Sequence, residues 1–156
     1  METWRTVAGG IGVLLVLIYA IGSSFWVGNN SNWYYSLNRP FWQPPSWIFG
    51  IIWPYNFIAL GITSFIVARR LSKTLVIAWL ILFALSVIAA LIWSYLFYIP
   101  HNLVGSAIAL PLAALLTIPI TVITFKASVG YGLALLPYQI WVTVASSLAI
   151  GYALKN

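Results

Sequence analysis

A chain that does acid–base or nucleophilic chemistry needs a poised carboxylate, imidazole or nucleophile with a partner in reach. This sequence of 156 residues holds one acid, Glu2, one histidine, His101, and no cysteine. Neither Glu2 nor His101 is placed for such work. Glu2 is next to the N-terminus, and His101 follows Pro100 in the turn "YIPHN", where a solvated loop histidine is expected. The same scarcity leaves no set of metal ligands, so neither a metal nor a cofactor is expected. What the chain does offer is nine tryptophans, nine tyrosines and eight phenylalanines, with two carboxamides, Asn56 and Gln139, inside apolar runs. Rings hold flat apolar molecules through stacked and edge contacts, and a carboxamide either orients such a ligand or ties two helices together.

The elements that must position these rings lie in a membrane. Hydrophobic residues make up 63% of the chain and charged ones 5%, with a mean hydropathy of +1.01, far from the roughly one-quarter charged composition of soluble domains. The net charge of +6 comes from missing acids and not from a clustered basic patch, so nucleic acid is not an expected partner. Runs at 7–27, 46–68, 75–99, 103–125 and 131–154 are long enough to cross a bilayer as helices, which takes about 20 residues. The expected fold is an all-α membrane bundle of five helices forming a single domain over 1–156. The first run is longer than a signal-peptide core, so it is expected to be a retained helix. Arg5, Arg69, Arg70, Lys73 and Lys126 fall on the side of the N-terminus, against Arg39 and Lys155 on the other. The positive-inside rule then puts the N-terminus in the cytoplasm, with the first loop and the C-terminus opposite. No internal repeat suggests an inverted-repeat transporter, and no charge inside the spans suggests ion coupling.

Within the spans the rings are patterned. Trp79, Phe83, Ser86, Ala90, Trp93 and Phe97 share one helical face of the third run, and Tyr138, Trp141, Ala145, Leu148 and Tyr152 share one of the fifth. In the second, Phe49, Trp53, Asn56, Phe57 and Leu60 lie together. Small residues between the rings leave room for a pocket. Trp4, Trp26 and Tyr131, near span ends, read as interfacial belt residues. The loop "NWYYSLNRPFWQPP" cannot be one continuous helix, because Pro40, Pro44 and Pro45 fix φ and remove donors. It reads as a semi-rigid, partly helical cap over the bundle mouth, with Arg39 either anchoring at the interface or pairing a ligand carboxylate. Gly105, Ala109, Ala113, Thr117 and Thr121 make a small-residue ridge on the fourth run, and Ser86, Ala90 and Ser94 a shorter one on the third. Either ridge would allow close helix approach, within the bundle or across a homodimer. Pro54, Pro111 and Pro119 are expected to kink their helices.

The stretch "WYYSLNRPFWQPPSWIFGIIW", with "WSYLF" and "PYQIWVTVA" further on, resembles the signature of the TspO/MBR family of tryptophan-rich sensory and translocator proteins, and the resemblance covers essentially the whole chain. It implies a five-helix bundle, often dimeric, whose pocket beneath the first loop binds porphyrins, sterols or synthetic benzodiazepine-type ligands. By that resemblance Trp33, Tyr34, Pro44, Pro45, Trp53, Trp93, Trp141 and Ala145 should line the pocket, and the residue faces add Arg39, Phe49, Asn56, Ala90, Phe97 and Tyr138. The family usually carries Asn where this chain has Ala90 and Ala149, which makes the expected pocket less polar. "LAIGYALK" also fits a loose sterol-contact pattern. Three functions remain open. The leading one is a receptor, sensor or transporter for a hydrophobic tetrapyrrole, sterol or related lipid in the bilayer. The second is an enzyme in which Trp53 and Trp141 take part in oxidative porphyrin breakdown, and the third is a scaffold without a ligand.

Overall fold

In hydrocarbon no water is present to satisfy backbone amides, so each crossing segment must bond internally as a helix. The computed structural model describes residues 2–28 and 31–156, and all regular structure among them is helical. Five long helices cross the molecule: α1 (Thr3–Phe25), α3 (Ser46–Arg70), α4 (Lys73–Tyr98), α5 (Leu103–Ala127) and α6 (Val129–Lys155). Each is long and apolar enough to span a bilayer. A sixth and short helix, α2 (Ser31–Ser36), lies in the first loop. Beyond it the chain runs without helix to Pro45, which precedes α3.

The connections are tight and capped. The Asn102 side chain accepts a hydrogen bond from the Gly105 amide at 2.8 Å and starts α5, and Ser128 accepts from Tyr131 at 3.4 Å to start α6. Arg5 donates to the Ala68 and Leu71 carbonyls at 2.5 and 2.9 Å, and Arg70 donates to the Ala127 carbonyl at 3.4 Å. Cations thus sit where the helix dipoles of α3 and α5 end. Glu2 pairs with Arg5 at 3.1 Å and accepts from the Trp4 indole at 2.8 Å, which helps α1 begin at Thr3, ahead of the apolar run proper. The helices α3, α5 and α6 continue unbroken through Pro54, Pro111, Pro119 and Pro137.

Around the bundle the order is α1, α3, α6, α5, α4 and back to α1. The course of α1 shapes the interior. Its first half packs on α3, where Gly9 faces the Phe65 ring and Gly12 faces Ser64, and the Ser64 hydroxyl bonds the Gly9 carbonyl at 3.1 Å. Its second half packs on α4, where Gly22 faces Leu91 and the Ser94 hydroxyl bonds the Ser23 carbonyl at 2.9 Å. The end of α1 therefore leans away from the start of α3. Both small-residue ridges face inward: Ala109, Ala113, Thr117 and Thr121 are buried, as are Ser86, Ala90 and Ser94. They serve contacts within one chain, and a homodimer would have to use other surfaces.

Candidate ligand-binding site

The three aromatic faces converge as their spacing implies. In the half of the bundle away from the lid they meet solidly: Trp79, Phe83 and Leu60 are fully buried, and the Trp79 indole donates to Thr124 at 3.1 Å. Tyr19 of α1 lies edge-on against Trp53, Phe57 and Tyr138, with centroids 5.9, 5.3 and 6.4 Å away, and its hydroxyl meets that of Tyr138 at 3.3 Å. This cluster backs the rings that line the cavity.

Above it the lean of α1 leaves a chamber of about 360 Å³. The α3 wall is Phe49, Trp53 and Phe57, the α4 wall Trp93, Phe97 and Tyr98, and the α6 wall Trp141, Ala145, Leu148, Ala149 and Tyr152. Helix α1 contributes Ala20, Ser23, Ser24 and Val27. Trp141 joins the walls, standing edge-on to Phe49 at 4.9 Å and to Trp53 at 6.3 Å. The indole N–H groups of Trp93 and Trp141 are buried and have no hydrogen-bond partner among the described residues. Buried donors of this kind are costly unless something accepts from them.

The lid closes the chamber with Tyr34 and Gln43. The Gln43 amide donates to the Tyr34 hydroxyl at 3.1 Å, and the Tyr152 hydroxyl donates to the Gln43 side-chain oxygen. Further along α6, the Trp42 indole donates to Ser147 at 3.0 Å, and Asn38 and Asn156 exchange bonds of 2.9 and 3.1 Å. Pro40 presses on Gly151, where a Cβ would come within 2.6 Å of its ring. Next to the chamber and sharing Val27, Tyr34, Gln43, Phe49 and Tyr98 with it is a vestibule of about 250 Å³, lined also by Tyr35, Ser46 and Arg39. Arg39 is the one charged side chain of the lid, so the pair of cavities grades from apolar rings to a single cation.

Of the residues expected in the pocket, Tyr34, Phe49, Trp53, Trp93, Phe97, Trp141 and Ala145 reach the chamber, and Arg39 reaches the vestibule. Six do not. Trp33 packs on Phe97 and His101 and lines neither cavity, because α2 is a helix and places successive side chains on different sides. Pro44 and Pro45 shape the turn into α3 without touching either cavity. Asn56 and Ala90 are buried against neighbouring helices, and Tyr138 is behind the wall with Tyr19. The two carboxamides part company. Gln139 ties α6 to α5, donating to the Ala114 carbonyl at 3.1 Å and accepting from Thr121 at 3.4 Å. Asn56 is fully buried with no partner among the described residues. The α1 wall and Gln43 were not expected: the first run carries no aromatic stripe, and only the two adjacent serines break its apolar character near the lid.

Fold and site together define a multi-pass membrane protein with a ring-lined chamber under a proline-rich lid. A family profile described as the TspO/MBR family matches residues 11–154, and the chain belongs to that family. It is 32% identical over 155 residues to the "Tryptophan-rich protein TspO" of Archaeoglobus fulgidus, covering 92% of this chain and 94% of the relative. It is also 32% identical over 117 residues to "Protein CrtK" of Rhodobacter capsulatus, covering 74% and 73%. The human "Translocator protein" is 37% identical over 51 residues, 33% of this chain and 30% of that protein. Membership makes this a membrane sensor-, receptor- or transporter-like protein.

Proposed function

We propose that the chamber binds one flat, largely apolar ligand, a porphyrin or other tetrapyrrole, a sterol or a related lipid, and that the protein senses or moves it. The observation that carries this reading is the chamber itself, walled by Trp53, Trp93 and Trp141 and holding two indole donors without acceptors among the described residues. A ligand with a carbonyl, carboxylate or hydroxyl on an apolar frame satisfies those donors while its faces meet the rings. Arg39 in the vestibule adds a preference for an acidic edge, because a guanidinium bonds a carboxylate through two parallel contacts. The excess of cations on the N-terminal side supports a cytoplasmic N-terminus, with the lid and C-terminus opposite.

A second reading is favoured by one contact. Trp53 and Trp141 meet edge to face at 6.3 Å on the chamber wall, where two indoles would lie beside a porphyrin during light- and oxygen-dependent breakdown. Titration with protoporphyrin, dark and anaerobic, while tryptophan fluorescence is followed, separates the readings. Saturable quenching without product is the result expected for a binding protein. Product formed only after light and air are admitted would make it the degradative enzyme, and absence of quenching would leave a scaffold. Arg39 is exposed, so Arg39→Gln should weaken protoporphyrin by up to about 1 kcal/mol and its dimethyl ester much less. Equal losses for acid and ester would return Arg39 to an anchoring role.

A further inference from the structure

The lid rests on the bundle along two edges of different chemistry. Its α6 edge is hydrogen-bonded through Asn38, Trp42 and Gln43. Its α4 edge is held by rings. The Trp33 indole stands edge-on to Phe97 at 5.3 Å and lies flat on the His101 imidazole, with centroids 3.7 Å apart and planes 4° from parallel. His101 has φ 56°, the one positive φ at a non-glycine among the described residues, in a region that histidine enters more readily than most side chains. The turn is fixed by the Asn102 amide, which bonds the Leu96 carbonyl at 2.7 Å. The ring is thus presented to Trp33 by a defined backbone and not by a loose loop.

Two neutral rings stacked face to face bring together faces of the same quadrupole sign, a poorer arrangement than an edge contact. A cation over an indole face is attracted to it. Histidine is the side chain that ordinarily gains or loses charge between pH 5 and 8. We infer that the His101–Trp33 stack is a proton-sensitive clasp: protonation of His101 draws Trp33, and with it the lid, onto the α4 edge of the chamber. Deprotonation loosens that edge while the α6 edge stays bonded.

The groups around the clasp leave the coupling to Trp33. Helix α2 brings Tyr34 and Tyr35, and α4 brings Tyr98, phenols that carry no charge near neutrality. Arg39, the lid's cation, lines the vestibule with Tyr34, Tyr35 and Tyr98 and has no ring contact with His101 among the described residues. The start of α5, capped by Asn102, presents the positive end of a helix dipole beside His101. That end stays fixed beside His101 whether the lid is on or off, since His101 and α5 share one turn. The one acid, Glu2, is engaged by Arg5. Lowering pH through the histidine range favours closure, and raising it favours release.

The test needs no ligand. In the full chain in lipid nanodiscs, hydrogen exchange of lid amides 32–43 is measured from pH 7.5 to 5.5, each rate divided by its intrinsic rate. Protection should rise about two- to fivefold on acidification, the range an exposed cation–π contact supplies. His101→Asn keeps a residue suited to positive φ and should flatten the profile. Trp33→Leu should flatten it too, while the single histidine signal in NMR still titrates. A flat wild-type profile overturns the clasp, as does a pH dependence that survives in His101→Asn.

Discussion

The same helices build two unlike interiors, one on each side of the level where Tyr19 meets Tyr138. Away from the lid, Trp79, Phe83, Leu60 and Val67 are buried to 2% exposure or less and pack into the core. Toward the lid, rings of the same kinds on the same helices stand around an open space of about 360 Å³. Ring content does not separate the halves. What separates them is the path of α1, held to α3 by Gly9 and Gly12 and then to α4 by Gly22 and Ser23. In lipid there is little hydrophobic drive between helices, so close backbone approach decides where they meet. Three glycines steer the helix, and the chamber is what it leaves behind.

The largest effect expected from breaking this contrast lies in the solid half. Trp79→Ala removes a fully buried ring and the bond it donates to the Thr124 hydroxyl, and should destabilise the protein by about 3 to 5 kcal/mol. Thermal unfolding in micelles measures it. Ligand affinity of the protein that stays folded should change little, because Trp79 does not touch the chamber. A loss of affinity as large as the loss of stability would mean that the halves are not separable.

Gly12→Ala acts on the steering. A methyl group there would overlap Ser64 Cβ and come within 2.7 Å of its hydroxyl, so α1 and α3 must move apart. The expected cost is about 1 to 3 kcal/mol of stability, again read from thermal unfolding. Gly10→Ala, on the same helix with open space around it, is the control and should be neutral or slightly stabilising.

In the hollow half the effect should pass from stability to binding. Trp141→Ala removes a chamber wall and one unpartnered donor, and should weaken porphyrin or sterol binding by about 1 to 3 kcal/mol. Equilibrium titration checks it, and an unchanged affinity in a folded variant would take Trp141 out of the site.

Much of this contrast is legible in the sequence. Helical spacing puts Trp93, Phe97, Trp141 and Ala145 on inward faces, and the clustered prolines announce a lid. The rest depends on helix crossings, which periodicity within one run does not encode. The small residues of α5 form a ridge in sequence, yet only packing tells whether it meets α6 or another subunit. Asn56 shares a face with Trp53, yet less than one turn of depth separates a wall from a buried contact. His101 reads as a solvated turn residue because its partner Trp33 is distant along the chain. The serines of α1 become wall residues only because α1 leans.

The smallest effect is expected at Trp26, and it sharpens the comparison most. Trp26 caps the end of α1 beside the wall residues Ser23, Ser24 and Val27, and its ring stands edge-on to Tyr95 at 5.6 Å. It does not line the chamber. Trp26→Ala should cost about 0.5 to 1.5 kcal/mol of stability, the scale of its edge contacts with Tyr95 and Phe25. Binding should change by less than about 0.5 kcal/mol, or roughly twofold, because α1 keeps its hold on α4 through Gly22 and the Ser94 bond to Ser23. Trp141→Ala and Trp26→Ala delete the same side chain within one membrane half, so bulk loss of indole cancels between them. If both weaken the ligand equally, affinity depends on how tightly α1 is fixed and not on which rings face the chamber. If only Trp141→Ala does, the wall is local, and the ligand reads its rings one by one.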